Sequence, residues 1–101
     1  MIFRKADSED FDILVDLTDS VGWNYARSDF LRMIWCDPDC LMVAEEERVV
    51  GLISGINYGK VGWIGNLFVH EAHRRGGTGR RLLEKILERF SSLGLKTVGL
   101  Y

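Results

Sequence analysis

At 101 residues, with 47% apolar and 28% charged residues, the chain has the size and composition of one small globular domain with a single core. A formal net charge of −2, with acids and bases interspersed, offers no general field for a nucleic acid or an anionic membrane surface. No apolar run reaches the roughly 18 residues of a membrane helix, and Met1-Ile2-Phe3-Arg4-Lys5 lacks the basic-then-apolar order of a signal peptide, so a cytoplasmic location is expected.

Ile2 to Ala6 alternates as a short strand and meets Asp7-Ser8-Glu9-Asp10, a cluster of capping and first-turn acids that opens a helix. Phe11, Leu14, Val15 and Leu17 or Thr18 carry that helix until Gly22. Trp23-Asn24-Tyr25-Ala26-Arg27 reads as a loop. Ser28 is the expected N-cap of a second helix bearing Phe30, Leu31, Ile34 and Trp35, which Pro38 ends.

Leu41 to Glu45 and Val49 to Tyr58 read as strands of a hairpin turning at Glu46-Glu47-Arg48. After Tyr58-Gly59-Lys60 comes a long fourth strand, Val61 to His70. Strict alternation sets its Val61, Trp63, Leu67 and Val69 on one face and Ile64 and Phe68 on the other, so helices should cover both faces. From Gly79 the period changes to helical, with Leu82, Leu83, Ile86, Leu87 and Phe90 on one stripe. Gly94 suits a left-handed C-terminal stop, and Lys96 to Tyr101 reads as a final strand. The fold class is therefore α/β with a mixed sheet, in the order β-α-α-β-β-β-α-β, and its last strand–helix–strand unit is a parallel crossover. Cys36 and Cys40 with His70 and His73 lack the ligand spacing of a zinc finger, so reduced structural thiols and no metal site are expected.

The chemistry concentrates in Arg74-Arg75-Gly76-Gly77-Thr78-Gly79-Arg80, between a strand and a helix start, where consecutive N–H groups can face an anion. Glycine permits positive φ and close approach to a ligand, so Gly76, Gly77 and Gly79 suit a loop wrapped on a pyrophosphate. A helix dipole contributes about 0.3–1 kcal/mol, whereas micromolar binding needs about 8 kcal/mol. Arginines, amides and remote contacts must therefore combine, which points to a long ligand. A P-loop would need Gly-Lys-Ser/Thr where Gly79-Arg80-Arg81 stands, and a dinucleotide loop would need an acid near Thr97.

Arg74-x-x-Gly77-x-Gly79, after Leu67-Phe68-Val69-His70 and before Arg80-Arg81-Leu82-Leu83, resembles the phosphate loop of the GCN5-related N-acetyltransferases. The resemblance extends to Gly22-Trp23-Asn24, Val43-Ala44-Glu45 and Val49-Val50-Gly51, with Glu71 where members often carry proline. It implies a mostly antiparallel, acyl-CoA N-acyltransferase-like sheet and acetyl transfer from acetyl-CoA, as co-substrate, to a small-molecule or protein amine by direct attack in a ternary complex. It also implies that the backbone of Leu67, Phe68 and Val69 pairs with the pantetheine arm. Arg74, Arg75, Gly76, Gly77, Thr78, Gly79 and Arg80 would hold the pyrophosphate, and an N–H near Leu67 or Phe68 would polarise the thioester carbonyl.

Trp23, Asn24 and Tyr25 would border the acceptor or pack on the core. No general base is placed: Val61 to Phe68 has no acid, Glu45, Glu46 and Glu71 read as solvated charges, and His70 and His73 as surface or phosphate-side residues. The family's acid tyrosine and closing strands would follow Tyr101, so the domain is expected to be incomplete, and the edge near Tyr101 could pair with a second copy. The alternative is a catalytically silent acyl-CoA-binding or dimerising remnant.

Overall fold

In the computed structural model, which describes residues 1–95 and 97–100, Leu100 by its backbone alone, the elements follow the expected order. The strands are β1 (Ile2–Lys5), β2 (Leu41–Glu46), β3 (Arg48–Asn57), β4 (Val61–Val69) and β5 (Thr97–Leu100); the helices are α1 (Phe11–Asp19), α2 (Arg27–Cys36) and α3 (Thr78–Ser92). They form one sheet in the order β1-β2-β3-β4-β5, antiparallel except for the parallel β4–β5 pair that α3 connects. Lys96 and Tyr101, to which the expected last strand and its dimer edge extend, lie outside the described residues.

The acids before α1 act as their chemistry suggests. Asp7 accepts from Glu9 N (2.8 Å) and Asp10 accepts from Asp7 N (2.9 Å), which makes a 3-10 turn, Ser8–Asp10, ahead of the α-helix. In α2 the expected cap is wrong. Ala26 is the N-cap, because Asp29 reaches back to accept from Ala26 N at 2.8 Å, and Ser28 lies inside the helix. The inward face of α2 is also not the expected one: Phe30 is buried and Met33 and Ile34 pack against the core, while Leu31 and Trp35 are exposed.

Two apolar layers sandwich the sheet. On one side α1 and α2 pack Phe11, Leu14 and Phe30 onto Leu41, Val43, Leu52 and Phe68; on the other, α3 packs Leu82, Ile86 and Phe90 onto Ala44, Val50, Ile53, Ile64 and Val69. Phe90 sits where β4 presents no side chain, since a Cβ at Gly62 would come within 2.6 Å of its ring. Gly94 adopts the anticipated left-handed φ of 76°.

Strict alternation fails in β4. Ile64 and Val69 both face α3 while Phe68 faces α1 and α2. The register slips between Leu52↔Phe68 and Ser54↔Gly65, so Asn66 and Leu67 together oppose Ile53, and Asn66 takes a left-handed φ of 54°. One inserted residue reverses the faces of everything after it.

Candidate functional site

The bulge creates the site's first half. Strand β5 pairs only with Val61 to Ile64, so beyond Ile64 the outer edge of β4 carries no partner strand among the described residues. The register shows which amides are left over. His70 N donates to Val50 O (2.7 Å), so alternation makes Phe68↔Leu52 a bonded pair and turns the Phe68 N–H towards β3. Gly55 N donates to Cys40 O (2.7 Å), away from β4, which makes Ser54↔Gly65 the other bonded pair. Asn66 and Leu67 lie between these pairs, with their N–H groups off the β3 ladder.

The second half is the loop into α3. His70 Nδ1 accepts from Ala72 N (3.1 Å) and caps a 3-10 turn at Glu71–His73, so the strand exit is held without the proline. Arg74 Nε donates to Val69 O (2.9 Å), and its guanidinium lies over the Phe68 ring. Gly76 N donates to Arg74 O (2.6 Å) around Arg75, whose φ is 66°, making a tight three-residue turn. Gly77, at φ 82°, is the N-cap of α3 and offers no side-chain cap. The first intrahelical bond is Arg81 N to Gly77 O (3.0 Å), which leaves the N–H groups of Thr78, Gly79 and Arg80 directed out of the helix end.

The glycines therefore differ in role. Only Gly77 uses positive φ, a non-glycine takes that role beside Gly76, and Gly79 is helical. Gly79 matters by proximity: a Cβ there would lie 3.4 Å from Val69 Cγ2 and 3.9 Å from Leu67 Cδ2. The α3 N-terminus thus sits directly beside the half-exposed Leu67 at the bulge, and the two halves form one continuous surface.

The arginines do not converge. Arg75 and Arg80 are exposed, Arg80 pairs with Glu84 (3.4 Å), and Arg74 is turned back on the strand. Arg81 lies over Phe3 at 5.3 Å and lines, with His73 and Thr78, a cavity of about 350 Å³ on the β1 side of α3. Glu45 is bound by Arg4 (3.2 Å), Glu46 is 3.9 Å from His73, and Glu71 belongs to the exposed turn.

Three shifted acids are structural. Arg4, bound to Asp10 through both Nη atoms at 2.8 Å, holds that carboxyl low against the opposing effect of burial. Burial pushes Asp37 upward, yet Arg89 (2.7 and 2.9 Å) and the Asn57 and Asp39 N–H groups outweigh it and hold its pKa down. Burial raises the Cys40 thiol to about 12, reinforced by the charge of Asp37, whereas Cys36 is exposed.

Tyr25, with Asn66 and Ser54, which the sequence reading did not single out, completes the site. Tyr25 Oη donates to Asn66 Oδ1 (2.7 Å), Asn66 Nδ2 donates to Ser54 Oγ (3.2 Å), and Ser54 Oγ donates to Gly65 O (2.9 Å). The signal was Gly65-Asn66 inside an apolar run, a pair that favours a bulge over continued alternation. Beside Tyr25, a groove of about 340 Å³ is lined by Asp29, Arg32, Met33, Cys36, Ile56 and Tyr58.

A five-stranded mostly antiparallel sheet, a bulged fourth strand open at one edge and a glycine-initiated helix beside it describe an acyltransferase-type scaffold. The chain belongs to the acetyltransferase (GNAT) family, whose profile matches residues 8–101. None of the curated proteins compared matched it. Among solved structures it is similar to Ard1 from Thermoplasma volcanium, with 24% identity and a TM-score of 0.89 over 98% of this chain and 69% of that one. Rv2747 from Mycobacterium tuberculosis, solved in complex with CoA and NLQ, gives 19% identity and a TM-score of 0.86 over 99% of this chain and 63% of that one. Glucosamine-6-phosphate N-acetyltransferase from Arabidopsis thaliana gives 18% identity and a TM-score of 0.82 over 99% and 80%.

Proposed function

We propose that the chain binds acetyl-CoA and moves the acetyl group to a primary amine by direct attack in a ternary complex. The observation that carries this reading is the closeness of Leu67 to the backbone of Gly79, which sets a strand edge without a partner among the described residues beside a helix N-terminus. The edge offers backbone groups of Leu67 and Val69 for strand-like pairing with an amide-containing arm, whereas those of Phe68, expected to join them, turn towards β3. At its far end the Thr78, Gly79 and Arg80 N–H groups face an anion, with Arg74, Arg75, Gly76 and Gly77 shaping the approach. The register narrows the carbonyl-polarising donor to Leu67, because the Phe68 N–H belongs to the β3 ladder.

The acceptor would approach from the opposite face, along the groove beside Tyr25 and Met33. A second reading, an acyl-CoA-binding domain without turnover, is favoured by the engagement of the nearby acids: Glu45 is bound by Arg4, and Asp29, which lines the groove, accepts from Ala26 N and Arg32. Calorimetric titration with acetyl-CoA, followed by an assay of CoA release across an amine panel, separates the two. Binding with release supports transfer, binding without release supports the second reading, and no binding overturns both.

A further inference from the structure

Asn66 takes a left-handed φ of 54°, a region that asparagine tolerates better than most L-residues. Its side chain lies in a chain of bonds that all run one way: Tyr25 donates to its oxygen, its nitrogen donates to Ser54, and Ser54 donates to the carbonyl of Gly65. Three elements thus meet at one residue: the loop between α1 and α2, β3, and the bulge of β4. The same loop grips the bulge a second time, since Trp23 packs edge-on against both Phe68 (6.0 Å) and Tyr25 (6.3 Å). Ser54 is 3% exposed, so its bonds are sheltered from competing water.

We infer that Tyr25 is a positioning residue: through Asn66 and Ser54 its hydroxyl fixes the β4 bulge and so holds the Leu67 N–H on the open edge. The inference rests on the acetyl-CoA reading given above. The chain of bonds explains why a tyrosine stands at this position. A phenylalanine would keep the packing on Trp23 and Phe30 (5.5 Å) but leave Asn66 Oδ1 without its donor. It also makes the bulge sensitive to the α1–α2 loop, which flanks the groove proposed for the acceptor, so the donor and the acceptor wall share one support.

The test compares the parent with Y25F and S54A by NMR relaxation dispersion and by calorimetry with acetyl-CoA and with free CoA. In the parent, the Asn66 and Leu67 amides give flat dispersion profiles and acetyl-CoA binds more tightly than CoA. In both variants the two amides should show microsecond-to-millisecond exchange, and the acetyl-CoA affinity should fall about fivefold while CoA affinity stays within about twofold. A residue serving only to hold the fold would weaken both ligands together and spread exchange through the core. Parental profiles in both variants, an unchanged acetyl-CoA to CoA ratio, or a parent that binds the two ligands equally overturns the proposal alone. A parent that binds neither ligand overturns the acetyl-CoA reading on which it rests.

Discussion

At the residue scale, side chains that share a chemistry are separated by their surroundings. Cys40 is fully buried with its thiol pushed to about 12, so at pH 8 it stays neutral and inaccessible, whereas Cys36 is exposed. A disulfide-exchange reagent at pH 8 should titrate one thiol per folded chain promptly and the second only in denaturant; two prompt equivalents would contradict the burial. Gly62 is required for space, since a Cβ there would meet three ring atoms of Phe90 at 2.6 to 2.8 Å. Gly62→Ala should therefore destabilise by about 1–3 kcal/mol, read as a lower urea midpoint, and an unchanged midpoint would mean that α3 sits elsewhere. Gly79 differs in kind, because a Cβ there makes only ordinary contacts with Val69 and Leu67. Gly79→Glu should hold or raise the parental urea midpoint, since a first-turn acid suits the helix, yet abolish acetyl-CoA binding by placing a carboxylate where the pyrophosphate would lie. Parental affinity would remove the loop from the site.

At the element scale, the Asp37–Arg89 pair fastens the C-terminal end of α2 to α3. Arg89 also donates to Gly55 O (2.9 Å), so helices on opposite faces are stapled across the end of the sheet. Removing Arg89 leaves a mostly buried carboxylate without its cation, and Arg89→Leu should cost about 3 kcal/mol. The pH dependence has a definite sign. Asp10 and Asp37 have lowered pKa values in the fold, so their contribution is complete above the unfolded carboxylate value of about 3.9 and is lost as pH falls through the folded values. Stability should hold from neutrality to about pH 4 and fall below it, and Arg89→Leu should move the acid midpoint upward. A midpoint that stays in place would mean Asp37 is not held by Arg89.

The same scale shows what the sequence made legible. The α3 stripe of Leu82, Leu83, Ile86 and Phe90, though not of the exposed Leu87, the hairpin of β2 and β3 and the strand–loop–helix order follow from periodicity, because burial on one face imposes the period directly. Two features did not follow. In α2 the stripe of Leu31 and Trp35 competes with that of Phe30, Met33 and Ile34, and only tertiary packing chooses between them. In β4 a period of two was carried through Gly65-Asn66, although a bulge there flips Leu67 and Val69 to the face of Ile64. The glycine loop was legible as a place, but the inward turn of Arg74 and the left-handed Arg75 depend on tertiary contacts that spacing does not encode.

At the scale of the whole molecule, two helical layers cover one sheet, and the bulge interrupts that sheet at its outer edge. The interruption sets Leu67 beside the N-terminus of α3. In the proposed function binding and chemistry draw on different parts: the edge and loop would take a long, phosphate-bearing thioester, and the groove of Tyr25 and Met33 would take an amine. Family membership fixes the scaffold, and the proposed function stands on the ligand. Calorimetric titration of the chain with acetyl-CoA should give one site per chain, in the micromolar range and lost in Gly79→Glu. No saturable binding at millimolar acetyl-CoA by a folded parent would overturn the acetyl-CoA reading.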